Sequence, residues 1–181
     1  SNSSSEINKL TGDLEKREKR LKEVEEVLRK RDEATNQLRA KLQEALLGFT
    51  KSGLTVEVKN GKVYVSLTDK LLFPSGSIII DEKGKQASTQ LAEVLKQQPD
   101  INIAVEGHTD SQRISNLGQI KDNWDLSVLR STSVVRFLTD EQKVESVRMT
   151  ATGKGQFQPL AENTSADGRS KNRRIGIVLS P

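Results

Sequence analysis

From Ile7 the chain sets apolar residues at alternating steps of three and four: Ile7, Leu10, Leu14, Leu21, Val24, Leu28, Leu38, Leu42 and Ala45, with Arg17, Arg31 and Thr35 filling the remaining positions of that seam. Lys, Arg and Glu take most other positions. About six heptads of this a/d spacing make a narrow stripe on a long helix, unlike the wider apolar face of a helix in a globular core. At about 1.5 Å per residue the segment reaches roughly 60 Å. A stripe of this kind needs a partner, because isolated helices draw most of their stability from packing. The pattern predicts a coiled-coil helix over residues 6–47 and a homo-oligomer, with a weak parallel dimer favoured by the charged seam positions. A lone charged spacer helix is the other reading of the same pattern. Gly48 and Ser52-Gly53 stop the helix, which makes 48–53 a linker and 54–181 the folded domain.

A chain of 181 residues suits one ordinary domain with such an appendage. Charge is concentrated in the helix, where residues 1–50 hold 11 Lys/Arg against 10 Asp/Glu. The whole chain is +4, and no Lys/Arg run is interleaved with aromatics, so no nucleic-acid partner is expected. Zero Cys excludes disulfides, iron–sulfur clusters, thiol nucleophiles and thiolate zinc sites, and a single His excludes poly-His metal centres. Neither a cofactor nor a metal is expected. No apolar run approaches the roughly 20 residues of a membrane span, and Ser1 to Ser5 lack the plan of a signal peptide. Ser1-Asn2 resembles the remnant of a cleaved tag, so a membrane tether is expected upstream of this sequence.

The remainder reads as mixed α/β. Leu54 to Val58 and Val63 to Leu67 alternate around Asn60-Gly61, a strong hairpin signal. A helix follows over about 81–97, a strand over Ile101 to Val105, a loop, a helix over about 123–138, and strands at Arg148 to Thr152 and Ile175 to Leu179. The order predicts a two-layer α+β sandwich, a mixed sheet backed by two helices.

Gly107-His108-Thr109-Asp110 leaves a carboxylate where a strand stops, and Asn123-Trp124-Asp125-Leu126-Ser127 opens a helix carrying Arg130. Asn123, Ser127 and Arg130 fall at i, i+4 and i+7, one helical face whose long side chains lean toward the N-terminus. An exposed Asp facing an Arg beside a helix N-terminus suits a ligand bearing both an ammonium and a carboxylate, the Arg gripping the latter through its planar fork. On spacing alone, an internal Asp110–Arg130 salt bridge is an equal reading.

Four ordered segments resemble the OmpA-like C-terminal domain family: Leu72-Phe73-Pro74-Ser75-Gly76-Ser77, Gly107-His108-Thr109-Asp110, Asn123-Trp124-Asp125-Leu126-Ser127 with Arg130, and Gly168 to Ile175. The family includes outer-membrane protein A, peptidoglycan-associated lipoprotein and the periplasmic part of flagellar motor protein B. The resemblance covers about Leu54 to Pro181. It implies a sheet backed by two helices and non-covalent binding of peptidoglycan through the diaminopimelate of its peptide stem. Asp110 matches the family's ammonium-binding Asp, Arg130 its carboxylate-binding Arg, and Asn123 its pocket-lining Asn. Arg173 matches the Asn-Arg-Arg motif near the pocket floor, with Thr109, Leu126 and Ser127 lining or supporting the site. The long stretch Ser111 to Asp122 and the Asn-Trp helix start are more like motor protein B, and Gly176 stands where a polar side chain is common. The implied protein is a periplasmic wall anchor attached to the outer, or less favourably the inner, membrane, and not an enzyme.

Three rivals remain: a flagellar stator subunit, a wall hydrolase acting through His108 and Asp110 with Ser111 or Ser115, and a coiled-coil scaffold without a ligand. The hydrolase lacks a sharp nucleophile turn and an activating third group. Asp81 and Asp125 at helix starts are what the helix macrodipole selects, with no need of a metal. His108 reads as a hydrogen-bonded loop residue and Trp124 as a packing anchor.

Overall fold

The computed structural model describes residues 2–115 and 118–181; Ser1 of the expected remnant and Asn116 and Leu117 of the long loop lie outside the described residues. Helix α1 spans Asn2–Ala45, and a 3-10 stretch over Leu47–Ser52 ends at Gly53, whose φ of 95° is the left-handed conformation a helix stop takes. Strands β1 (Leu54–Lys59) and β2 (Lys62–Thr68) form a hairpin in which Asn60 and Gly61 have φ of 53° and 74°, the mirror-image turn that the Asn-Gly pair favours. Helix α2 is a single turn at Asp69–Leu72. Then follow α3 (Glu82–Lys96), β3 (Asn102–His108), α4 (Asn123–Arg136), β4 (Met149–Gly153), α5 (Ala166–Asn172) and β5 (Arg174–Ser180).

The strands form one five-stranded sheet in the order β1-β2-β5-β3-β4, antiparallel except for the parallel β3–β4 pair. This is the mixed α+β sheet that the sequence predicts. Alternate residues of β2, β3 and β5, among them Val65, Val105 and Ile177, are buried in one cluster with Leu91 and Leu95 of α3 and Val134 of α4. Burying each such side chain stabilises the fold by about 1.5–3 kcal/mol. Arg148, just before β4, is buried and donates to the carbonyls of Leu95, Gln98 and Ile101 at 3.0, 2.6 and 2.9 Å, which ties the end of α3 to the start of β3.

The seam of α1 changes partner along its length. Ile7, Leu10, Leu14, Leu21, Val24 and Leu28 are exposed, whereas Thr35, Leu38 and Leu42, with Leu46 just beyond the helix, are buried on the chain's own domain. There α1 meets β1, β2 and α3. Arg31 marks the crossover, its guanidinium lying where a Cβ on Gly61 of the hairpin turn would stand. The last turns of α1 therefore belong to the domain's core, and pairing with a second helix has the stretch ahead of Arg31 to use.

Candidate functional site

Strand register gathers the site at one end of the sheet. Thr68 and His108 both pair with Arg174, which leaves Asp69, Asp110 and Arg173 side by side just past the ladder. The Asp69 N–H donates to the Arg173 carbonyl at 3.1 Å, so these neighbours are joined through the backbone as well.

Helix α4 supplies the fourth charge. Asp122 caps it by accepting from the Asp125 N–H at 3.0 Å. The helix lies close against β3 because Gly107 has no Cβ; one there would run into the Ser127 carbonyl, and one on Gly153 would meet Val128. Ser127 is buried, and its hydroxyl donates to the Trp124 carbonyl at 3.0 Å and accepts from the Gly155 N–H at 3.1 Å, a supporting place beneath the site. Asn123 Nδ2 lies 3.2, 3.0 and 3.2 Å from the Asp110 carbonyl, the Gln112 carbonyl and Gln156 Oε1, fixing the root of the loop that follows Asp110. The Thr109 hydroxyl donates to the Asp110 carbonyl at 2.8 Å.

These placements surround a cleft of about 380 Å³ lined by Asp69, Asp110, Asn123, Leu126, Arg130 and Arg173, with Thr109 at its wall. The sequence-derived site residues are thus brought together, but the charge pairing differs from an Asp110–Arg130 bridge. Asp110 Oδ2 receives Arg173 Nη1 at 2.7 Å, while its Oδ1 accepts from the Gln112 N–H at 3.0 Å. Asp69 Oδ2 stands 3.3 Å from Arg173 Nε and 3.5 Å from Arg130 Nη1, so Asp69 mediates between the two guanidinium groups. Arg130, 4% exposed, also donates through Nε to the Ser77 carbonyl at 2.9 Å and lies 4.9 Å above the Phe73 ring. Burial pulls its pKa down and the Asp69 carboxylate opposes that. A guanidinium stays charged regardless. Buried Arg130, half-buried Arg173 and the two buried carboxylates in one cleft can bind an ammonium and a carboxylate together by exchanging internal pairs for ligand pairs.

Asp69 is the residue sequence reasoning missed. Nothing local distinguishes it, because its partners come from pairing β2 with a strand about a hundred residues away. Asn172 lies within the Gly168 to Ile175 segment, whose pattern gives it no role of its own; fully buried, it accepts from the Leu160 and Ala161 N–H groups at 2.7 and 2.9 Å and shapes the loop ahead of α5. The Gly168 motif forms α5, with Ser165 capping by accepting from the Gly168 N–H at 2.9 Å. Trp124 is half exposed and stacks on Phe157 with ring centroids 5.0 Å apart, a surface pair and not a core anchor.

His108 and Asp110 do not form a dyad. His108 Nε2 is 3.6 Å from Glu106 Oε2, its Nδ1 is buried without a hydrogen bond, and Asp110 is engaged by Arg173. Burial, with the nearby Arg174 and Lys154 charges, lowers the His108 pKa to about 4. Its unfolded value is about 6.5, so the unfolded chain binds this proton first and His108 favours the fold above that pH. That contribution, up to about 3 kcal/mol, is lost as pH falls from 6.5 to 4. Urea denaturation across this range should show a shallower loss in His108→Gln than in the parent; identical slopes would show that His108 does not titrate with folding.

Comparison with known proteins agrees with this fold. The chain is 30% identical over 128 residues to Motility protein B of Bacillus subtilis, covering 71% of this chain and 49% of that protein. It thus spans about half the length of the curated relatives first matched. Among solved structures, a MotB-like protein from Desulfovibrio vulgaris superposes with a TM-score of 0.71 at 29% identity, over 83% of this chain and 94% of that one. The cell wall anchor of the T6SS from Pseudomonas aeruginosa superposes with a TM-score of 0.70 at 28% identity, over 77% and 96%. The OmpA family pattern runs through residues 72–173, from the turn that holds Asp69 to the Arg that bridges both carboxylates, and the chain belongs to the OmpA family.

Proposed function

We propose that this domain binds peptidoglycan non-covalently through the diaminopimelate residue of its peptide stem, and so anchors an envelope protein to the cell wall from the periplasm. The observation that carries the proposal is the shared cleft into which buried Asp110 and buried Arg130 both open. The free end of a diaminopimelate residue bears one ammonium and one carboxylate on one carbon. Asp110 takes the ammonium in place of Arg173, which keeps Asp69, and Arg130 takes the carboxylate with donors beyond its contacts to Asp69 and Ser77. Asn123 and Thr109 hold the wall. The reading is binding without catalysis, and the likeness to a protein named as a cell wall anchor supports it.

Calorimetric titration tests this. The stem tripeptide ending in diaminopimelate should bind, and the same tripeptide with Lys in that place, whose side-chain ammonium has no carboxylate on its carbon, should bind at least about tenfold more weakly, the cost of leaving a charge-assisted contact unmade. Equal affinity for the two would remove the proposal.

The likeness to Motility protein B supports a second reading, the wall-binding part of a flagellar stator. Fractionation of the native protein separates the two: an outer-membrane location supports the anchor and an inner-membrane location the stator. In either case the exposed seam Ile7 to Leu28 is proposed to pair with a second copy of the chain as a two-stranded coil.

A further inference from the structure

The cleft holds more positive charge than the proposed ligand end consumes. Its lining carries four cations, Lys70, Arg113, Arg130 and Arg173, against two carboxylates, Asp69 and Asp110. The inner four groups pair among themselves. Lys70 and Arg113 have no ion pair among the described residues, and both are exposed at the rim. They reach it from two sides. Lys70 follows Asp69 in α2, and Arg113 follows Gln112, whose N–H and carbonyl are bonded to Asp110 Oδ1 and Asn123 Nδ2 at 3.0 Å each. The loop root that presents Arg113 is therefore fixed to the site itself.

A ligand end with one ammonium and one carboxylate is neutral and leaves the rim's surplus of two positive charges unmatched. A stem peptide offers the missing anions. Its glutamyl residue is joined to the diamino acid through the side-chain carboxyl, which frees the α-carboxylate one residue away, and the chain ends in another carboxylate. We infer that Lys70 and Arg113 form a second subsite that reads these flanking carboxylates, so that the domain prefers stems whose glutamyl α-carboxylate is free over stems in which it is amidated. Amidation replaces an anion with a neutral group of the same shape, so contact geometry is kept while the charge match is lost. This inference rests on the diaminopimelate reading and refines the ligand to an anionic stem.

The test uses the tripeptide N-acetyl-L-Ala-γ-D-Glu-diaminopimelate and its analogue with the glutamyl α-carboxylate amidated, titrated calorimetrically into the whole chain. The parent should bind the free acid about tenfold more tightly than the amide, and the gap should narrow in 0.5 M salt, as expected for rim charges. Lys70→Gln with Arg113→Gln should bind both peptides alike, with thermal melting confirming the fold. An amide that binds the parent as tightly as the acid, or a double variant that still discriminates, would overturn the inference. Free diaminopimelate distinguishes the two levels. If it binds while discrimination is missing, the second subsite alone fails; if neither it nor either peptide binds, both readings fail.

Discussion

Asp110→Ala and Arg130→Ala are each expected to abolish retention of this chain by purified, sedimented peptidoglycan. Each removes one charge-assisted contact, about 1.5–3 kcal/mol or roughly tenfold to a hundredfold in affinity, and leaves the opposite ligand charge in a partly buried cleft without its partner. The consequences for the fold differ. Without Asp110, Arg173 retains Asp69; without Arg130, Asp69 keeps Arg173 but the contacts to Ser77 and Phe73 are lost, so some stability goes with binding. Thermal melting of both variants checks that a folded domain is being assayed. Arg130→Lys should keep more of the fold than of the binding, because an ammonium cannot reproduce the planar fork. Retention of wall binding by folded Asp110→Ala and Arg130→Ala would show that the cleft is not the site.

A second large effect is expected from trimming α1 at two places. Removing residues 2–30 takes away the exposed seam and leaves Leu38, Leu42 and Leu46 in the core, so sedimentation should change from concentration-dependent mass to a folded monomer. Removing everything before Lys51 also strips those three buried leucines, each costing about 2–5 kcal/mol as a core deletion, enough together to exceed the whole stability of an ordinary domain. That shorter chain should lose its cooperative melting transition. A monomeric full chain at high concentration would leave α1 a spacer and remove the pairing proposal.

Much of this arrangement is legible in the sequence where a local rule decides it. Asn60-Gly61 dictates a turn that few other pairs allow, and the i, i+4, i+7 spacing of Asn123, Ser127 and Arg130 puts all three on the buried face of α4. What stays hidden depends on distant partners. Asp69 acquires its role through the β2–β5 register, and the heptad seam reads the same whether it faces another helix or the chain's own sheet, so the change of partner at Arg31 leaves no mark in its periodicity. The ion pairing is hidden for the same reason: two Asp and two Arg allow several pairings, and only the packed end of the sheet selects Asp110–Arg173. Helix α5 is short enough that its Ser165 cap and the buried Asn172 decide its existence more than any periodicity does.

The burial of Leu38, Leu42 and Leu46 has a mechanical meaning. A pull applied at the N-terminus travels along α1 and enters the sheet through interlocked side chains, so the helix acts as a strut clamped at its base, with both reach and heading fixed. The length ahead of Arg31 is about 45 Å, and excising one heptad from it would lower the cleft by about 10 Å while keeping the seam in phase. Excising four residues would shift the cleft by about 6 Å and also swing it around the strut, so the chain encodes the height and the direction of the cleft in the same repeat.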